Sequence, residues 1–168
     1  MKTIILTTLF CALACFARAQ EVTKAAAALE PKSGSKVTGT VTFTKVGDDV
    51  QVVADIQNLT PGKHGFHIHE KGDCSAPDAA SAGAHFNPTM KHHGGPMTLD
   101  HHAGDLGNIE ADASGKAHLD WKGKLSLTGN DSILGRSVVV HEKEDDLKSD
   151  PSGNSGARVA CGAINAAD

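Results

Sequence analysis

The chain has 168 residues and a formal net charge of −4 at pH 7, with 20 acidic residues against 16 basic ones. This length is typical of one domain, and the acidic balance argues against a general nucleic-acid-binding protein, which would be basic. The first element in chain order is a secretory signal: Lys2 is positive, and the apolar run over residues 3–16 is too short to span a bilayer. The Ala-Arg-Ala sequence at residues 17–19 fits the small-x-small cleavage rule, so we predict cleavage before Gln20.

This cleavage divides the chain into a signal peptide, residues 1–19, and one domain, residues 20–168. It removes Lys2 and Arg18 and takes the formal charge from −4 to −6. We expect no membrane span after cleavage and no nucleic-acid partner. An uncleaved anchor and lipidation at Cys15 are the alternatives. The export signal fits either a bacterial periplasm or a eukaryotic extracellular space.

Two cysteines, Cys74 and Cys161, remain after cleavage. Cysteines of exported proteins are commonly oxidised, so we expect one disulfide, with two unpaired thiols as the alternative. The bond would close a loop of nearly ninety residues. In the chain-entropy model such a loop stabilises the fold by about 4–5 kcal/mol.

Alternation of apolar and polar residues is the main pattern of the domain. Residues 37–44 and 50–57 both show this period of two, which predicts strands with one buried face. Glycine-rich turns recur, and no segment has a long helical period, so we predict an all-β fold with eight antiparallel strands in a barrel or sandwich. The predicted strands cover residues 25–30, 37–44, 50–57, 63–69, 105–111, 116–122, 136–141 and 157–164.

Two long stretches, residues 70–104 and 142–156, do not fit strands. Loops of this length without regular structure are uncommon unless they are functional. Eight of the ten histidines lie from position 64 to position 102, which places most of them in or beside the first loop. Histidine is the commonest protein metal ligand, so this clustering indicates a metal site. A flexible histidine-rich metal-binding tract is the alternative.

The strand over residues 63–69 already separates two kinds of side chain. Successive residues of a strand point to opposite faces, so the apolar Phe66 and Ile68 should face the barrel interior. His67 and His69 should then share the outer face, where both can reach one ion. His64 lies on the same face as Phe66 and is interpreted as structural.

At this point the sequence resembles the copper/zinc superoxide dismutases, over nearly the whole domain. Several independent motifs occur in the right order, which makes the resemblance specific. The motifs are His-Ile-His-Glu at 67–70, Ala-His-Phe-Asn-Pro at 84–88, His-Gly-Gly-Pro at 93–96, His-Ala-Gly-Asp-Leu-Gly-Asn at 102–108, Val-His-Glu-Lys at 140–143 and Ala-Arg-Val-Ala-Cys-Gly at 157–162. The resemblance implies a Greek-key barrel with two long functional loops.

The resemblance also implies the metal ligands and cofactors, which are copper and zinc. Chemistry alone leaves the doublets at 92–93 and 101–102 open, and the family spacing selects the second histidine of each. His92, His101 and His118 remain as exposed side chains. The implied copper ligands are His67, His69, His85 and His141. The implied zinc ligands are His85, His93, His102 and Asp105, so His85 bridges the two metals.

The implied reaction is the disproportionation of superoxide anion to dioxygen and hydrogen peroxide by Cu(II)/Cu(I) cycling. His85 would supply a proton, and Arg158 matches the family's arginine beside the copper channel. Asp145 would link a copper histidine to a zinc histidine from outside the ligand set. An exported copper/zinc carrier or chaperone-like protein without turnover is the alternative, and an adhesive β-domain with incidental histidines is a third.

The sequence departs from the family in both loops. The segment over residues 142–157 is shortened, and Pro151 stands where a channel lysine is usual, so we expect weaker or differently placed steering of superoxide by Lys143 and Lys148. Cys74 follows His69 by only five residues, which alters a loop that contributes to the subunit contact in many members. We nevertheless expect a homodimer.

Overall fold

The structure, a computed structural model, describes residues 21–168. The predicted signal peptide over residues 1–19, its cleavage before Gln20, and Cys15 therefore lie outside the described residues. Within the described part of the chain, no helix is long and apolar enough to cross a membrane.

Antiparallel strands make up almost all of the regular structure. One short 3-10 helix, Ala80–Ala82, interrupts the first long loop. The strands are β1 (Lys24–Pro31), β2 (Thr38–Val46), β3 (Asp49–Gln57), β4 (Gly62–His69), β5 (Asp105–Ala111), β6 (Ala117–Gly123), β7 (Ser137–His141), β8 (Arg158–Ala163) and β9 (Asn165–Ala166).

The sheet closes into a barrel. Its strands follow the order β2-β3-β6-β5-β4-β7-β8-β1, and β1 also pairs with β2. The neighbours β3 and β6, and likewise β1 and β8, are far apart in the chain, which is the mark of a Greek-key arrangement. Closure satisfies the backbone of both edges. The expected all-β, eight-stranded antiparallel fold is confirmed.

Each of the eight predicted strands is present, with ends that differ by at most two residues. The sequence analysis did not predict β9. This two-residue strand pairs with the start of β1 through Ala25 and Ala166. Two residues are too short to show a period, so only the tertiary contact creates this strand.

The core lies inside the barrel, where the apolar members of the alternating strands meet. Phe66 and Ile68 are fully buried there, as the strand pattern predicts. On β7, Val138 and Val140 also face inward. Val139, between them, instead packs outside the barrel in a small cluster under the first long loop. That cluster comprises Ala79, Ala82, Val139 and Cys161.

Candidate metal centre

The barrel's outer wall carries the first part of the site. His67 and His69 lie on the outer side of β4, and His141 ends the neighbouring strand β7. His85, in the first long loop, forms an isolated antiparallel bridge with His69. The two long loops cover this wall, so all four imidazoles are buried, with between 0% and 6% of each residue exposed.

A second group of side chains shares His85 with the first. Asp105 begins β5 and pairs with His67 of β4, next to a shift in the register of the two strands. One oxygen of its carboxylate, Oδ2, accepts hydrogen bonds from the backbone N–H groups of Gly94, at 3.1 Å, and His102, at 2.9 Å. The other oxygen, Oδ1, faces three imidazole nitrogens. Its distances to Nδ1 are 2.8 Å for His85, 3.1 Å for His93 and 3.2 Å for His102.

These distances fit a tetrahedral zinc ion. Zinc binds nitrogen and oxygen ligands at about 2.0–2.1 Å, and the edge of such a tetrahedron is roughly 3.3 Å. The oxygen of Asp105 and the three nitrogens are separated by nearly this edge length. Three imidazoles and one carboxylate also form the closed four-ligand set of a structural zinc site.

In the four imidazoles of the first group, the atoms that face one another have no other partners. The buried atoms Nδ1 of His67 and Nε2 of His69, His85 and His141 accept or donate no hydrogen bond within residues 21–168. Together they lie within 4.8 Å of one another. A buried polar atom without a partner is costly, so four such atoms in converging rings indicate a group of side chains that can bind a metal ion. Four imidazole nitrogens suit Cu(II).

Hydrogen bonds on the far side of each ring fix the tautomer that exposes these atoms. His69 donates from Nδ1 to the carbonyl oxygen of Gly83 at 2.9 Å, and His141 donates from Nδ1 to that of Gly156 at 3.3 Å. A carbonyl only accepts, so the proton must sit on Nδ1 and the lone pair on Nε2. This arrangement holds each ring in the orientation that a metal ligand requires.

Asp145 joins the two groups. Its carboxylate is buried and lies 2.8 Å from Nε2 of His67 and 2.9 Å from Nε2 of His93. Both rings donate to it, which leaves Nδ1 of each ring facing its own group of ligands. A single carboxylate outside the ligand sets therefore orients one ring from each of them.

Burial and hydrogen bonding set the protonation states of the chain without metal. Burial lowers the pKa of His85 to about 4 and that of His141 to about 2, so both are neutral at pH 7. Burial also acts to lower the pKa of His93, but hydrogen bonds to Asp105 and Asp145 outweigh it and raise the pKa to about 10. Burial acts to raise the pKa of either carboxyl group, yet hydrogen bonds from the histidines hold both pKa values well below the ordinary value. Ligation of His93 should therefore release a proton.

A cavity of about 640 Å³ opens onto the group of four imidazoles from His67, His69, His85 and His141. His69, His85 and His141 contribute to its wall, and Arg158 is the positively charged residue there among the residues that the structure describes. Asp78 also lines the cavity, which sequence reasoning did not anticipate. Lys143 and Lys148, the expected steering residues, are not in this wall.

Arg158 is held by the loop opposite it. Its Nη1 donates to the carbonyl oxygen of Ala79 and its Nη2 to that of Gly83, both at 2.7 Å. The carbonyl of Gly83 also accepts from His69, so one backbone group links the arginine to a barrel-wall histidine. The disulfide between Cys74 and Cys161 ties this same loop to β8, three residues from Arg158.

The remaining histidines point away from both groups. His64 lies with its two ring nitrogens 2.9 Å and 2.8 Å from the carbonyl oxygens of His141 and Thr60, a structural role. His92 and His118 are exposed and each meets an aspartate. The sequence predicts an exposed His101, but the residue is half-buried, and its Nδ1 donates to the backbone oxygen of His102 at 2.7 Å.

A closed β-barrel that carries two overlapping groups of buried side chains able to bind metal ions has the arrangement of a protein with a binuclear metal centre. The comparison with known families identifies which one. The chain belongs to the copper/zinc superoxide dismutase family, because the family model described as copper/zinc superoxide dismutase (SODC) matches residues 37–164.

Individual relatives agree with this assignment. An extracellular Cu-Zn superoxide dismutase of Caenorhabditis elegans is 44% identical over 161 residues, which cover 89% of this chain and 72% of the relative. An extracellular Cu-Zn superoxide dismutase of Drosophila melanogaster is 47% identical over 139 residues, or 77% of this chain and 76% of the relative. The crystal structure of the clock protein EA4 superposes with a TM-score of 0.81 at 42% identity and covers 89% of this chain and 99% of its own.

Proposed function

We propose that the protein is an exported superoxide dismutase that converts two superoxide anions and two protons into dioxygen and hydrogen peroxide. The observation that carries this proposal is His85. Its Nε2 belongs to the four-imidazole group and its Nδ1 belongs to the group of Asp105. A carrier of two independent ions would not need one ring in both sites.

The proposal assigns a metal to each group. His67, through Nδ1, and His69, His85 and His141, through Nε2, would hold copper, because these atoms have no other partners. His85, His93 and His102, through Nδ1, and Asp105, through Oδ1, would hold zinc. When bound, copper supplies the alternating one-electron chemistry, and zinc supplies a fixed positive charge without redox chemistry.

The residues around the cavity perform the remaining tasks. Arg158 binds and orients the anion, because its guanidinium keeps its charge at neutral pH and its position is fixed by two carbonyl groups. His85 contributes to the wall of the same cavity, and its Nε2, whenever it is not coordinated, can hold a proton and pass it to the bound anion. Asp145 keeps His67 and His93 in place during turnover.

Export, assembly and domain limits belong to the same proposal. The signal peptide covers residues 1–19 and the enzyme residues 20–168, and the relatives named as extracellular enzymes support an exported protein. The family resemblance supports a homodimer. Sedimentation of residues 20–168 tests the assembly, and a monomer at micromolar concentration would contradict it.

The activity is tested with residues 20–168 loaded with copper and zinc. We expect rapid superoxide removal by the parent, and removal at the background rate by His141→Ala, which lacks one copper ligand. His118→Ala is the matched control, since that histidine is exposed and lies on β6, a strand that carries none of the proposed ligands. Full metal occupancy without turnover in the parent would support a carrier or chaperone-like protein and overturn the enzyme.

A further inference from the structure

A carboxylate of the shortened second loop, residues 142–156, holds two consecutive residues of the first long loop, residues 70–104. The part of the first loop around His93 is called the zinc-side loop below. Oδ1 of Asp150 accepts a hydrogen bond from the backbone N–H of His93 at 2.7 Å. Oδ2 of the same group lies 2.7 Å from Nδ1 of His92. The two loops are 57 residues apart in sequence, so this contact is created only by the way they meet over the barrel.

The two contacts of Asp150 differ in how much each contributes to holding the loop. The side chains of His92 and Asp150 are 79% and 52% exposed, and an ion pair in that setting contributes little. The bond from the backbone of His93 is more consequential, because it joins a charged acceptor to the residue that presents a zinc-side nitrogen. Asp145 holds the ring of the same residue through Nε2 at 2.9 Å. His93 is therefore fixed both at its ring and at its backbone by carboxylates of one loop.

Asp150 also stands at the edge of the cavity. The next two residues, Pro151 and Ser152, form part of the cavity wall. Behind them the loop is closed on itself: Asp146 accepts from the backbone of Ser149 at 2.8 Å, and Ser149 accepts from Gly153 at 2.7 Å. Because these hydrogen bonds hold the turn together, the turn moves as a unit. The hydrogen bond between Asp150 and His93 therefore also sets the position of the cavity wall at Pro151 and Ser152.

We propose that Asp150 is a positioning residue that couples the zinc-side loop to the wall of the cavity in front of the copper ligands. This inference rests on the proposed zinc site. The carboxylate of Asp150 would hold the shortened loop in place over the site, because this one group connects the zinc-side loop to the cavity wall.

The test compares three variants of the fully loaded protein. Asp150→Ala removes both contacts. Asp150→Asn keeps an oxygen that can accept from the backbone of His93. Asp55→Ala is the matched control, because Asp55 forms an equally exposed pair with His118, at 2.8 Å, on the barrel surface. Two quantities are measured: the rate of zinc release to a chromophoric chelator, and the affinity of the copper site for azide by absorption titration.

We expect Asp150→Ala to release zinc about ten-fold faster, as for loss of a partner that orients a metal ligand, and to bind azide with a several-fold altered affinity. Asp150→Asn should lie closer to the parent, and Asp55→Ala should match it. A parent that binds zinc and an Asp150→Ala variant with the same release rate would overturn the inference alone. Faster release with unchanged azide affinity would overturn the coupling to the wall. A parent that takes up no zinc would overturn the proposed function as well.

Discussion

Gly153 offers a direct test of how Asp145 supports the site. The residue has a φ of +62°, and a Cβ built on it would lie 1.7 Å from Oδ1 of Asp145 and 2.8 Å from Nε2 of His93. The substitution Gly153→Ala must therefore displace the carboxylate or the turn. The change removes no metal ligand and no polar group.

Two contributions set the loss in the free energy of unfolding that Gly153→Ala should cause. A non-glycine residue in the left-handed region costs about 1–2 kcal/mol. Displacing Asp145 also loses at least one of its two hydrogen bonds to histidine, and a bond to a charged group contributes about 1.5–3 kcal/mol. Gly47→Ala isolates the second contribution, since Gly47 has a φ of +64° and nothing within 4 Å of the added Cβ.

Urea unfolding of the zinc-loaded protein measures both variants. We expect Gly153→Ala to be about 1.5–3 kcal/mol less stable than Gly47→Ala, and competition with a chelator should show about 10–100-fold weaker zinc binding for Gly153→Ala only. Equal stability and equal zinc affinity of the two variants would refute the reasoning that Asp145 is held by close packing against the loop.

Three further predictions address the disulfide, the titrating groups and the cavity. Cys74→Ser opens a bridge with a sequence separation of 87 and should lower the free energy of unfolding by about 4–5 kcal/mol; the parent in reductant should then match the variant, and a persistent difference would contradict the explanation. For the metal-free chain we expect stability to peak near pH 6.5. His85 and His141 have folded pKa values of about 4 and 2, so below pH 6.5 the unfolded chain binds protons at these residues that the folded chain does not, and stability falls toward acid pH. His93, with a folded pKa of about 10, contributes stability that is complete below pH 6.5 and lost as the pH rises through 10; unfolding curves that change in one direction only from pH 4 to 10 would be inconsistent with this balance. Asp78→Asn removes the acid in the cavity wall and should speed superoxide removal about two-fold at low salt, as for a unit charge roughly 10 Å away in water, with no difference in concentrated salt; equal rates at low salt would show that Asp78 does not oppose the anion.

The sequence by itself determined the barrel and the parts of the site that follow from local pattern. The period of two on β4 predicted that Phe66 and Ile68 face the core and that His67 and His69 face outward, and the structure places them so. This works because a strand alternates its faces whatever lies beyond it.

Only the tertiary structure decided which groups meet across the two long loops. No local rule separates His93 from His92; the docking of both loops does, because Asp105 and Asp145 hold the ring of one while Asp150 meets the other at the surface. The presence of Asp78, and the absence of Lys143, in the described cavity wall has the same cause. Loops have no repeating geometry, so their contacts depend on residues tens of positions away in the chain.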